Sequence, residues 1–488
     1  MKKYGKLVIS VILVAFVFVM AACGNNDNEP SITPDTTPAE QLPSPDDNQV
    51  VEATPPPVVD LDPPSRDLGG MEIVIATWWV EECTDTADPP SAPERARWDD
   101  RRAMEERYNF RIRYERFSDW EGVRDNIQGE LLGENRDIQI WAMTPTWFAT
   151  HHGAGLFAPI PLHHFDNDVQ WRTSVMDASM RNGMPHAFSA EHELFSAGMY
   201  WNMRLFEEAG LPRDLPFTLQ REGNWTWAAF TDIARQLWRD GDAGGFADIW
   251  PITSFAQNFL LYALASNGAA FAQVDPETGL FVNTTNTPEF LETIEWVVSL
   301  RTEMLAMHEE DVGGEWDVYI QMFNDGRGAL RAGAHYVAYS TINVNLDDEF
   351  GFVAFPKGPR ATSHYSWVSG NFFSIPHFYS EAEVDDIMFA FSLWNRDLPD
   401  ADPDDWIFEN LVNHTDARSV EETMLYYTRN PALQIMPAHA MMPGLGNVLN
   451  TNFGWRVWDP DNPPAATIIE EGQQPWNAFL ERVNDMLN

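Results

Sequence analysis

Met71-Glu-Ile-Val-Ile-Ala-Thr77, followed at once by Trp78-Trp79, is the stretch on which the fold turns. It is short, β-branched and preceded by Gly69-Gly70, which predicts a buried strand. Pro93 to Tyr108 predicts a helix, with proline at its start and charges on the outer face. Phe110-Arg-Ile-Arg-Tyr114 alternates and predicts a second strand. Trp120 to Leu132 predicts a second helix, and Asp137-Ile-Gln-Ile-Trp141 a third strand. The order β-α-β-α-β implies a parallel sheet with helices on both faces. Ligands of such open sheets bind outside the carboxyl ends of the strands. That rule singles out Trp78, Trp79, Trp141 and the loop from Thr144 to Trp147.

Upstream of this core the chain carries an address. Lys2, Lys3 and Lys6 precede an apolar run from Leu7 to Met20, and small residues lead on to Cys23. A basic start, an apolar middle and a small-residue zone make the pattern of a secretory signal over residues 1–22. The run is shorter than the ~20 apolar residues that span a bilayer as a helix. Met20-Ala21-Ala22-Cys23 resembles the lipobox of bacterial lipoproteins. That resemblance implies a diacylglyceryl group on the Cys23 thiol and cleavage that makes Cys23 the first residue. Two or more acyl chains hold a protein on a membrane without crossing it. Cys83 is the other cysteine, and with Cys23 acylated it is expected to be a small packing residue.

Residues 23–67 comprise the lipidated cysteine and a segment rich in Pro, Thr, Asp, Asn and Glu, without aromatics. Such a composition buries too little apolar surface to offset its ordering entropy. It is expected to be an extended tether that gives reach. The body that follows, roughly 420 residues, exceeds the ~250–300 at which one core stops growing, so two lobes are expected. All 20 tryptophans lie in it, and some of these rings are expected at a recognition surface. The formal charge is −43, from 74 acidic against 31 basic residues. This excludes a nucleic-acid partner, whose phosphates need Lys and Arg, and argues against adhesion to anionic lipid. It fits solubility at a crowded surface.

Downstream, Tyr200-Trp-Asn-Met-Arg-Leu-Phe-Glu-Glu-Ala-Gly-Leu211 and Asn224-Trp-Thr-Trp-Ala-Ala-Phe-Thr-Asp-Ile-Ala234 follow one another. These resemble the family 1 extracellular solute-binding proteins of ABC importers. Members carry a Tyr-Asn-Lys-x-Leu-Phe segment ending in Ala-Gly-Leu, then a Thr-Trp-x-x-Phe helix start; Met203 and Arg204 depart from the usual Lys-Asp. Further landmarks recur in order: Gly155-Leu-Phe-Ala-Pro159, Phe323-Asn-Asp-Gly-Arg-Gly-Ala-Leu330, Gly351-Phe-Val-Ala-Phe-Pro-Lys-Gly-Pro359 and Ser369-Gly-Asn-Phe-Phe-Ser-Ile375. Each motif alone is weak, while their order and spacing are specific, and the resemblance covers about residues 71–480.

The resemblance implies an α/β, two-lobe periplasmic-binding-protein-like fold of type II, with the ligand cleft between the lobes. The first crossing is expected near 193–202. Lobe 1 is then expected at 68–196, lobe 2 at 197–368, a return to lobe 1 at 369–425, and C-terminal helices, mainly on lobe 2, at 426–488. It also implies capture of a carbohydrate by hinge closure and docking on ABC permease subunits. Hydrolysis of ATP would occur elsewhere in the importer, and the sequence has no Walker-type lysine loop. The expected protein is a monomer without cofactor, catalytic residue or metal, bound to the membrane through its lipid alone.

A pyranose stacks its C–H face on an aromatic ring, and its hydroxyls need planar polar side chains. Candidate ligand residues are therefore Trp78, Trp79, Glu81 and Glu82 after the first strand, with Trp141, Thr144 and Trp147 after the third. Tyr200 is expected on the first crossing, and Trp367 and Asn371 flank the second. Tyr336 follows the strand after Gly328, where the family places an aromatic platform. Trp225 and Trp227 start a helix and are expected to be structural. The doublets His151-His152 and His163-His164 are expected in loops, since neighbours on a strand point apart. Rival readings are a surface glycan-acting enzyme, an adhesin or receptor, and a binder of a polyamine, peptide or metal complex. Carboxylate pairs for a glycosidase arise by chance in so acidic a chain. Neither a zinc-protease His-Glu-x-x-His nor a Gly-x-Ser-x-Gly elbow is present. Aromatics with acids would also suit a polyamine.

Replacing Cys23 by alanine is expected to move the protein from the membrane fraction to the medium. Cell fractionation with immunoblotting checks this, and full retention on the membrane would contradict it.

Overall fold

The computed structural model describes residues 66–79 and 92–487, apart from 167–170, 191–197, 241–246, 314–316, 368–369, 399–406 and the single positions 276, 279, 344, 408, 444, 446 and 447. Cys23, Cys83, Glu81, Glu82 and nearly all of the tether lie outside the described residues.

Strand β1 is Met71–Thr77. It pairs in parallel with β2, Phe110–Arg116, from Met71 opposite Phe110 to Thr77 opposite Arg116. Helix α1, Ala92–Tyr108, and helix α2, Trp120–Leu132, supply the crossovers. Strand β3 is Ile140–Met143, parallel to β1, with Ile75 opposite Ile140. It starts later than the expected Asp137 and runs on past Trp141. The cause is local: Val74 N–H donates to the Gln139 side-chain oxygen at 2.7 Å, so a side chain stands where a backbone ladder rung would be. The strand Phe372–Ser374 adds antiparallel to β3 and completes a four-stranded sheet. Ile73 and Ile75 pack on one side, with Tyr108 and the helix Glu381–Trp394. Val74 and Ala76 pack on the other, with Val123, Ile127 and Leu131 of α2. A strand covered on both faces needs a continuous apolar run, which is what β1 has.

The second sheet has five strands, in the order 350–354, 198–202, 328–333, 247–252, 239–240. The strand Gly198–Asn202 is antiparallel to both of its neighbours, and Gly328–Gly333 is parallel to Ala247–Ile252. Met199 and Trp201 enter the core built by helices Trp227–Leu237, Ala256–Ser266, Pro288–Thr302 and Ala465–Leu487. Tyr200 enters the core on the opposite face, with Phe350, Phe352, Val420 and Tyr427. Gly351 is required by close approach: a Cβ there would lie 2.0 Å from the Trp201 ring.

The strand Phe350–Ala354 lies at the sheet edge, where unpaired backbone groups invite association. Side chains close that edge. Thr415 Oγ1 accepts from Phe350 N–H and donates to Phe350 C=O, both at 2.7 Å. Ser419 Oγ accepts from Phe352 N–H at 3.0 Å, and Gln220 Oε1 accepts from Ala354 N–H at 2.7 Å. This has a consequence for the chain path. Ile407 and the 419–424 turn already pack on the second sheet, so the chain leaves the first sheet well before the expected boundary at 425. Farther on, Met436 and Met441 pack on the first-sheet core while Met442 and Leu445 belong to the second, so 436–445 ties the two cores together.

Thr415→Val keeps the side-chain shape and leaves both Phe350 backbone groups without a partner. It is expected to cost about 1–3 kcal/mol of stability, read as a lowered denaturation midpoint. Gly129→Ala, on the exposed face of α2 with open space around it, is expected to stabilise by up to about 1 kcal/mol. Equal midpoints for the two variants would contradict the edge-closure account.

Candidate ligand site

Three elements of the first sheet converge in an aromatic cluster. Trp78 and Trp79 follow β1, Trp120 opens α2, and Trp147 lies in α3, Pro145–Gly153. The Trp78 ring centroid lies 4.5 Å from Trp79, 5.0 Å from Trp120 and 5.2 Å from Trp147, each pair edge to face. Trp120 and Trp147 are 4.5 Å apart. Trp120 is 47% exposed, Trp78 and Trp79 are half-buried, and Trp147 is buried. The backbone holds these rings in place: Asp119 caps α2 by accepting from Gly122 N–H at 2.8 Å, and Thr144 caps α3 by accepting from Trp147 N–H at 3.3 Å. Thr144 is thus a helix cap in the structure. Sequence reasoning missed Trp120, although the carboxyl-end rule applied to β2 points to the start of the following helix.

Two aromatic candidates lie inside the cores. Trp141 is 1% exposed and packs edge to face on Phe117 at 5.0 Å. It sits two residues before the end of β3 and packs in the core with Val123, Ile127 and Leu131. Tyr200 is fully buried, stacked on Phe352 at 4.3 Å, and its hydroxyl is shared between the carbonyls of Ala334 and His335, each at 2.8 Å. Both side chains lie inside packed cores rather than on an open surface. Trp225 and Trp227 are buried; their indole N–H groups donate to Ala354 C=O at 2.7 Å and Ser266 Oγ at 3.0 Å.

On the second sheet the carboxyl edge belongs to the parallel strands 247–252 and 328–333. Tyr336 stands just beyond the latter, 48% exposed, with exposed Tyr339 6.5 Å away. Behind it Arg331 is 4% exposed, and its Nη1 is buried without a hydrogen-bond partner. The groups that bear on it electrostatically are Tyr319, Tyr200, Tyr336 and Tyr262, and burial pulls its pKa down. Burial pushes the phenols of Tyr262, Tyr319 and Tyr336 up, so they are neutral donors. The contrast is Arg301, also buried, which makes a two-pronged pair with Asp311 at 2.6 and 2.8 Å.

Trp367 and Asn371 are half-buried. Trp367 packs edge to face on His439 at 5.3 Å, and both line a mainly apolar cavity of about 370 Å³ with Leu261, Leu264 and Met436. Asn371 immediately precedes the strand 372–374. The structure therefore brings Trp78, Trp79 and Trp147 together, with Thr144 as support. Tyr336 and Trp367 stand on other elements.

The histidine doublets are not in loops. His151 and His152 end α3. His163 and His164 lie on the 3-10 turn Leu162–Phe165, where adjacent rings can converge, and both Nε2 atoms hydrogen-bond Asp385 Oδ1, at 2.9 and 2.8 Å. Arg66 donates to Asp385 Oδ2 at 2.8 Å and also pairs with Asp386. Asp385 is thereby engaged on both oxygens, and the cluster acts as a latch holding the start of the described chain against helix Glu381–Trp394.

Residues 104–383 match the family model described as bacterial extracellular solute-binding protein. The fold matches solved structures at low sequence identity. An ABC substrate-binding protein of Listeria monocytogenes in complex with cycloalternan is 16% identical with a TM-score of 0.56, covering 84% of this chain and 99% of that one. The cyclic alpha-maltosyl-1,6-maltose binding protein of Arthrobacter globiformis is 15% identical with a TM-score of 0.57, covering 85% and 100%. UgpB of Mycobacterium tuberculosis in complex with glycerophosphocholine is 15% identical with a TM-score of 0.58, covering 85% and 99%. No curated protein matches in sequence. These likenesses establish the two-lobe α/β fold, and the family and neighbours are binding proteins. Among the described residues no helix is long and apolar enough to cross a membrane.

His439 makes the cores sensitive to acid. It is 3% exposed, neither ring nitrogen has a partner, and burial pushes its pKa down to about 3. Burial pushes His364 down to about 4. The unfolded histidines titrate near ~6.5, so below that pH the unfolded chain binds protons that the folded chain refuses. The stability is complete above ~6.5 and is lost as pH falls toward the folded values. Calorimetry is expected to show the melting temperature falling between pH 7 and 5, and His439→Phe is expected to flatten that slope. An unchanged slope in the variant would contradict this assignment.

Proposed function

Because the chain belongs to the bacterial extracellular solute-binding proteins, we propose that it captures a carbohydrate, an oligosaccharide, by closing its two lobes and delivers it to the permease of an ABC importer. The lipid on Cys23 moors it to the outer face of the membrane, and the 23–67 segment supplies reach. The observation that carries this reading is the presence of aromatic rings at the carboxyl edge of both sheets: exposed Trp120 with half-buried Trp78 and Trp79 on one, exposed Tyr336 on the other. Flat rings at the edges of two sheets suit the C–H faces of successive sugar residues, with large contact area at low entropy cost. The sugar-bound Listeria protein and the maltosyl-maltose binder of Arthrobacter support the same class of solute. A polyamine is disfavoured, since Arg331 places at the second edge a buried cation with no carboxylate partner among the described residues.

A thermal-shift panel of oligosaccharides, peptides and polyamines tests this. Oligosaccharides are expected to raise the melting temperature. Trp120→Ala and Tyr336→Ala are each expected to weaken binding about two- to tenfold, in line with the ~0.5–1.5 kcal/mol of an aromatic contact; Tyr336→Ala is expected to leave the unliganded melting temperature nearly unchanged, and Trp120→Ala to lower it slightly through the lost contacts with Trp78 and Trp147. Stabilisation by polyamines alone would overturn the carbohydrate reading.

A further inference from the structure

Arg331 is anomalous in a chain with 74 acidic against 31 basic residues. Acids are abundant, yet none of the described carboxylates pairs with it, whereas buried Arg301 holds Asp311 in a two-pronged pair. Arginine stays protonated in proteins, and a buried cation is costly unless paired. The partial compensations present are weak. The Phe323 ring centroid lies 6.0 Å from the guanidinium, at the outer limit of a cation–π contact. Tyr200, directly opposite on the neighbouring strand, has committed its hydroxyl to Ala334 and His335.

The location gives this charge a use. Arg331 lies near the carboxyl end of the strand Gly328–Gly333, between two other strands of the sheet. The chain then turns through Ala334 and His335 to the exposed Tyr336. Tyr262 and Tyr319 add two neutral phenols to the surroundings of the same guanidinium.

We propose that the captured solute carries an oxyanion, a uronate carboxylate or a phosphate ester, and that Arg331 receives it beside the sugar ring stacked on Tyr336. This inference rests on the carbohydrate-binding reading above and narrows it to acidic sugars. A planar guanidinium binds a carboxylate or phosphate through two parallel N–H donors. The arriving anion supplies the partner that the fold withholds. A neutral sugar leaves the cation unpaired, so the site discriminates by the penalty it imposes on the wrong ligand.

Isothermal titration of the full chain tests this with three probes: hexuronate oligomers, the same oligomers after chemical reduction of their carboxyl groups, and hexose phosphates. The acidic oligomers or the phosphates are expected to bind about a hundredfold or more tighter than the reduced oligomers. The preferred probe identifies the oxyanion. Arg331→Met is expected to bring the acidic probe down to the affinity of the reduced one, and Arg331→Lys to retain part of the preference. The comparison of probes on the unsubstituted protein stands even if Arg331→Met fails to fold. Equal affinity for acidic and reduced oligomers, or a preference that survives Arg331→Met, would overturn this inference and leave carbohydrate capture intact. Binding of none of these sugars, acidic or neutral, would overturn both.

Discussion

Both sheets are buried on both faces. Ile73 and Ile75 are covered on one side of β1, and Val74 and Ala76 on the other. Met199 and Trp201 face one core of the second sheet, and Tyr200 the opposite one. Most side chains in the middle of these strands are committed to packing, so a solute is met at or near strand ends and helix starts. The edge strand 350–354 of the second sheet is closed by Thr415, Ser419 and Gln220. What remains are the carboxyl edges of the parallel strands, and the exposed rings of Trp120 and Tyr336 stand there.

That constraint explains what was legible in the sequence and what was not. The limits of β1 and α2 follow from the β-branched run and from the Asp119 cap, both local signals, and the structure reproduces them. The aromatic cluster was partly legible because a strand end is marked by the end of its apolar run. Trp141 lies inside the sheet because β3 continues two residues beyond it, which nothing local in the sequence announces. Tyr200 was expected on the first crossing because the motif that contains it is read linearly, whereas its depth depends on strands more than a hundred positions later. His163 and His164 converge because they occupy a 3-10 turn, a geometry that two adjacent residues cannot reveal by themselves.

Electrostatics divides the molecule in the same way. The excess of acids lies on a surface where pairs such as Arg235 with Glu303 are half-exposed and contribute little. The buried charges are few and carry more information. Arg301 is satisfied within the fold by Asp311, while Arg331 has no carboxylate partner among the described residues. Arg66 pairs with Asp385 and so ties the start of the described chain to the helix Glu381–Trp394.

The central claim is that the two lobes close on a carbohydrate. Spin labels on exposed positions of α2, in the first lobe, and of helix Pro288–Thr302, in the second, allow the distance between lobes to be measured by pulsed electron resonance. Addition of saturating oligosaccharide is predicted to shift the distance distribution to shorter values and to narrow it. A sugar that binds with measurable heat but leaves the distribution unchanged would contradict capture by closure.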